Sequence, residues 1–178
     1  MSAAISITNS QLQTALRSFL LGMLGVGWQV IEGQDNRAPM PLGNFVVMTS
    51  MTAGYIATPE ESWVAGSSNP GVDNVRASSQ WRCQLDFYGP GAQDAATAVS
   101  RVIRTTYACD QFTASGIDMQ PLYAEEPKNL TMINAENQYE SRWSFDFVAQ
   151  FNPVVTLPQD FAIGLTVVPA EVDAVFPP

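Results

Sequence analysis

From Arg142 to Phe151 the chain alternates without interruption. Trp143, Phe145, Phe147, Ala149 and Phe151 fall on one phase, and Arg142, Ser144, Asp146, Val148 and Gln150 on the other. This two-residue period predicts a strand over 139–151 with one face buried and the other mostly polar. The same pattern runs through 75–88, where Trp81, Cys83, Leu85 and Phe87 alternate with Arg82, Gln84, Asp86 and Tyr88. A first strand is expected to start with Trp28, Val30 and Ile31, and further strands to run over 44–57 and 119–124.

A helical spacing takes over at Leu12, Ala15, Leu16, Phe19, Leu20, Met23 and Leu24, which predicts an amphipathic helix over 9–24. Thr8 and Gln11 have the spacing of a capping box, and Gly25 and Gly27 end the helix. Gly89, Pro90 and Gly91 break the 75–88 strand. A narrower stripe of Ala95, Ala98, Val99, Val102, Ile103 and Thr106 then predicts a second helix from Asp94 to about Tyr107.

The remaining segments read as connections. Residues 34–43 hold Asp35, Asn36, Pro39 and Pro41, and 58–73 hold Pro59, Gly66, Ser67, Ser68, Asn69, Pro70 and Gly71. Both are expected to be loops, the second an exposed excursion. The stretch from 125 to Ala135 reads as irregular, with room for one short strand. Pro153 and Pro158 are expected to limit pairing, Phe161 to Val168 forms a final short strand or extended arm, and 168–178 is an extended C-terminal tail. Strands interrupted by two helices predict an α+β fold, a mainly antiparallel sheet with two helices packed on one face, within a single domain of residues 1–178.

Composition narrows the chemistry. Only 14% of residues are charged, against the usual quarter, and 46% are apolar. The net charge of −9, with no basic cluster, argues against gripping phosphates. There is no histidine, which removes the commonest general base and metal ligand together. Glu60-Glu61 and Glu125-Glu126 are adjacent pairs whose side chains point opposite ways on an extended chain, so neither converges on a reacting atom. Asp35 with Asn36, and Asp73 with Asn74, lack calcium-ligand spacing, and the glycines at 22, 25 and 27 follow a helix instead of opening one. No catalytic residue, cofactor or metal site is assigned.

Arg82 with Asp86, and Arg142 with Asp146, share face phases four residues apart, which points to cross-strand or intersubunit ion pairs. Cys83 lies on the apolar phase of its strand and Cys109 follows the second predicted helix; both are expected to be free, inert thiols. The apolar run Phe19–Val26 is too short to span a bilayer, so no membrane partner is expected and synthesis is placed in the cytoplasm.

Four blocks carry a family signature. They are Cys83-Gln84-Leu85-Asp86-Phe87-Tyr88-Gly89-Pro90 with Ala92 and Asp94, Gly116-Ile117 leading to Pro121-Leu122-Tyr123-Ala124, Gln138-Tyr139-Glu140-Ser141-Arg142-Trp143, and Asn152-Pro153-Val154-Val155-Thr156-Leu157-Pro158. In this order they make the chain similar to the tailed-phage neck or tail-terminator proteins. The resemblance implies a virion structural subunit at the top of the tail, made in the host cytoplasm. It implies a ring, hexameric in the family, that caps the tail tube, meets head-tail connector or adaptor proteins, and meets the sheath where the tail is contractile. DNA then passes through the lumen without specific binding. Tyr139, Glu140, Arg142 and Trp143 are carried over as motif positions, with Trp143 structural and Arg142 at an interface. Glu125, Glu126 and Asp146 join them as interface candidates, on the irregular segment and on the polar phase of the last long strand. A head-completion or baseplate subunit shares this composition, and a monomeric small-molecule binding module with an aromatic pocket between helix and sheet is the alternative from a different class.

Overall fold

The structure, a computed structural model, describes residues 3–34, 40–133 and 139–169. In chain order the elements are β1 (Ala4–Ile5), α1 (Asn9–Leu24), β2 (Trp28–Glu32), β3 (Asn44–Tyr55), β4 (Glu60–Val64), β5 (Gly71–Arg76) and β6 (Ser79–Tyr88). They continue as α2 (Ala92–Val102), α3 (Thr106–Ala114), β7 (Met119–Ala124), β8 (Lys128–Asn129), β9 (Met132–Ile133), β10 (Tyr139–Glu140), β11 (Arg142–Phe151) and β12 (Val154–Gln159).

The two strongly alternating segments pair with each other at the centre of the main sheet. β6 and β11 run antiparallel in unbroken register from Ser79 opposite Phe151 to Tyr88 opposite Arg142. Around them the sheet orders as β2-β3-β6-β11-β7, with β8 also on β11. Only β2 against β3 is parallel among these pairs. A smaller antiparallel sheet orders as β1-β12-β5-β4, and β9 pairs with β10 alone.

The apolar phases of β6 and β11 meet the helices, as a buried face requires. Trp81, Cys83, Leu85, Phe87, Phe145, Phe147 and Ala149 are all buried against Leu12, Leu16, Phe19 and Leu20 of α1, Ala96 and Val99 of α2, and Phe112 of α3. Phe112 stacks on Phe147 at 5.7 Å between ring centroids and meets Phe19 at 5.1 Å, while Trp81 stands edge-on to Phe147 at 6.1 Å. These rings pack the space between helices and sheet, where the alternative reading as a small-molecule binding module would put its aromatic pocket. The predicted capping box is present, with the Thr8 side chain and the Gln11 side chain each serving the other's backbone N–H.

The fold class stands as read, with three departures. Three helices cover the sheet, because the second ends at Val102 and Thr105 takes an extended backbone (φ −100°, ψ 160°) that starts α3. The excursion at 58–73 is a β-hairpin: β4 and β5 pair from Glu60 opposite Arg76 to Val64 opposite Val72, leaving 65–70 as its turn. The last strand is Val154–Gln159, and residues 160–169 follow it without strand pairing. Pro158 fits opposite Val72 because, among the described residues, β1 pairs with Val155 and Thr156 and no second strand takes an amide from Pro158. The turn residues Asp35, Asn36 and Pro39 and the tail from 170 to 178 lie outside the described residues.

Candidate assembly interface

The polar phase of the central strand pair is built as a ladder of charge. Arg142 and Asp86 sit two residues off direct opposition, since Asp86 faces Ser144 and Arg142 faces Tyr88. Side chains on such a diagonal meet when one of them is long. Arg142 donates through Nη2 to both Asp86 oxygens, at 2.9 and 3.0 Å, and through Nε to Oδ1 at 3.1 Å. Gln84 Nε2 donates to Asp86 Oδ1 and to Ser144 Oγ, each at 3.1 Å. The second diagonal joins Arg82 to Asp146 at 3.0 Å, and the same Nη1 reaches Glu125 at 3.1 Å. Lys128 Nζ closes this end at 3.4 Å from Glu125. The Asp146 hydrogen bond, and the negative charge around it, hold the Arg82 guanidinium above its ordinary pKa.

Placement of the sequence candidates follows from this ladder. Of the two alternatives, cross-strand or intersubunit, the ion pairs form across the strands of one chain: Arg142 of β11 pairs with Asp86 of β6, and Arg82 of β6 with Asp146 of β11. Arg142 is therefore committed to a carboxylate of its own chain. The polar phase of β11 is less available than the pattern predicted, since Ser144 and Val148 are buried and Asp146 is half-buried. Glu125 is engaged by two cations while its neighbour Glu126 is exposed, in keeping with adjacent side chains on an extended chain. Trp143 packs partly buried against the core, and Glu140 is half-buried. Tyr139, by contrast, is 80% exposed, opposite the exposed Ile133 across the β9–β10 pair.

Of the thiols, Cys83 is buried and Cys109 is exposed on α3, a position the single long predicted helix did not give. Burial pushes the Cys83 thiol up to about 12 from the ordinary 9.0. Among the described residues there is no cluster of three or more acidic or thiol groups able to hold a metal ion, and no helix long and apolar enough to cross a membrane.

Apolar side chains are exposed on the small sheet and beside it, in part on the 58–73 segment expected to be a loop. Met51, Tyr55 and Ile56 are exposed where β3 outruns the helical layer, and Trp63 and Val64 are exposed on β4. A signal was present: Trp63-Val64 stands as an apolar pair inside an otherwise polar run. The chain after β12 is fastened here. The Asn69 side chain donates from Nδ2 to the Phe161 carbonyl at 2.8 Å and accepts from the Phe161 amide at 2.9 Å. Phe161 also stands edge-on to Trp63 at 5.6 Å. Beyond that fastening, Ile163, Leu165, Val167 and Val168 are each more than 70% exposed.

Fold and surface together define a mixed α+β protein whose central strands β6 and β11 pair their charges across the sheet and whose hairpin and C-terminal segment expose apolar side chains. The chain belongs to the phage neck terminator protein family, whose model matches residues 10–173. Among solved structures it is similar to the sheath/tube terminator of an extracellular contractile injection system, PVC, in the extended state. The two share 13% identity with a TM-score of 0.48, over 95% of this chain and 64% of that one, so this chain spans somewhat less than two thirds of that structure's length. Among curated proteins no relative matches.

Proposed function

We propose that this chain is a virion structural subunit that assembles into a ring, six copies in number, at the end of a phage tail tube. The ring ends the tube, meets the head-side connector on its other face, and meets the sheath where the tail contracts. The observation that carries this reading is the combination of family membership over 10–173 with the uncovered apolar hairpin and C-terminal segment. Large apolar side chains grouped in the open on one hairpin and one segment suit a contact with another chain. A ring needs two different surfaces meeting head to tail with a rotation that closes, and the small sheet and the ion-paired main sheet offer such unlike faces.

No chemistry is assigned to the subunit. Its charges support a passive lumen: each copy carries −9, and Arg76, Arg82, Arg142 and Lys128 already face carboxylates of their own chain. A compact domain of this length is roughly 40 Å wide, so six in a circle leave a lumen of similar diameter, wide enough for duplex DNA. Phosphates sliding past such a wall meet little immobilising counter-charge. Electron microscopy of tail tubes incubated with the purified protein tests the reading. Rings seated on tube ends support it; a continuous Lys and Arg belt on the lumen of the assembled ring would overturn the passive-lumen part.

A further inference from the structure

The segment after Phe161 has the makings of a strand with no sheet to join. Ile163, Leu165 and Val167 alternate with Ala162, Gly164 and Thr166, and no residue from 162 to 168 carries a charge. Among the described residues, no backbone hydrogen bond involves 162–169. The paired bonds between Asn69 and Phe161 fix where the segment leaves its own domain, at the turn end of the β4–β5 hairpin.

The same domain offers an unfilled place for a strand. β4 ends the order β1-β12-β5-β4, so among the described residues one row of its amides and carbonyls has no neighbouring strand. All five of its residues are exposed. Seven extended residues cover roughly 23 Å, against about 17 Å for the five of β4. Edges left open in native proteins are usually guarded, and Pro59, Glu60 and Glu61 guard this one against indiscriminate pairing. An uncharged strand meets no repulsion from those carboxylates, and its apolar phase matches the exposed Trp63 and Val64.

We propose that residues 162–168 add as a strand to the free edge of β4 in the next copy of the chain. Backbone hydrogen bonds supply the attraction, and side-chain alternation sets the register. Donor and acceptor are different surfaces, so each copy gives one strand and receives one, which is the head-to-tail arrangement a closed ring requires. The proposal rests on the ring reading only in taking the recipient to be a ring neighbour.

Complementation in the full-length chain tests it. An arm-blocked variant carries Leu165→Pro with Thr166→Pro; successive amides point to opposite sides, so whichever side faces the recipient loses a donor while the length is kept. Two edge-blocked variants carry Glu61→Pro or Ser62→Pro; successive strand residues point their amides to opposite sides, so one of the two spares the β4–β5 pairing, and circular dichroism identifies it. In sedimentation velocity the parent self-associates and each variant alone stays monomeric. An equal mixture of the two kinds gains a species of twice the monomer mass, because one intact arm meets one intact edge and growth stops there. An arm-blocked chain that assembles like the parent, a mixture that stays monomeric, or a parent monomeric at every concentration overturns the proposal. Capping of tubes is scored separately: the two-chain species without any capping removes the terminator reading alone, and capping by the arm-blocked chain removes the arm exchange alone.

Discussion

Arg142 reaches diagonally across the β6–β11 ladder and holds both carboxylate oxygens of Asp86, with Nη2 at 2.9 and 3.0 Å. Asp86 is 5% exposed, so its charge has little water to fall back on. Arg142→Ala leaves that charge buried and uncompensated and is expected to lower stability by about 3 kcal/mol. Replacing both members, Arg142→Met with Asp86→Leu, recovers most of the loss. Urea unfolding of the two variants and the parent checks this; equal losses in the single and double variants would show that packing and not charge is at stake.

Trp81 is buried, and its indole N–H donates to Ser50 Oγ at 2.7 Å, where β3 shifts register against β6. Ser50 in turn donates to Asn9 Oδ1 at 2.6 Å, tying the start of α1 to the sheet. Ser50→Ala strands the indole donor and is expected to cost about 1–3 kcal/mol. Thermal unfolding measures it, and Ser50→Thr, which keeps a hydroxyl, is expected to lose less.

The two thiols differ in access. A thiol reagent is expected to modify Cys109 alone in the native protein and both thiols in denaturant, as counted by mass spectrometry. The folded Cys83 thiol titrates near 12 against 9.0 when unfolded, so its contribution is fully present below pH 9 and is lost progressively as pH rises toward 12. Tyr88, raised chiefly by burial, adds a loss of the same sign above its ordinary value of 10.0. Stability followed from pH 7 to 11 is expected to fall less steeply in Cys83→Ala than in the parent.

Gly71 sits where the hairpin turn and the C-terminal segment meet. A Cβ there would stand 2.9 Å from the Val64 carbonyl, 3.2 Å from Phe161 Cδ1 and 3.3 Å from Trp63 Nε1. Gly71→Ala is therefore expected to loosen the Phe161 fastening and speed proteolysis in 160–169, with little change in the cleavage of the main sheet. Asn69→Ala removes both side-chain bonds to Phe161 and is expected to act in the same direction.

The central strands were legible because each side of the sheet reads one phase. Trp81, Cys83, Leu85 and Phe87 declared the buried face, and the capping box at Thr8 declared the start of α1. The third helix was harder to read, since only Ala108 and Phe112 of its nine residues are buried and its start depends on the backbone at Thr105. The β4–β5 hairpin was obscured by its turn residues and by β4 burying no side chain, so no alternation marked it. The shared face phases of Arg82, Asp86, Arg142 and Asp146 imply cross-strand charge pairing, but which arginine meets which carboxylate depends on register, which the phases alone do not specify. Of the motif positions, Tyr139 is strongly exposed, while Arg142 is ion-paired with Asp86 of its own chain and keeps part of its side chain in solvent.

The most direct test of the account is electron microscopy of tail tubes after incubation with the purified protein. Sixfold rings seated on tube ends and absent from tube walls are the expected result. A protein that stays monomeric and leaves tube ends bare would contradict it.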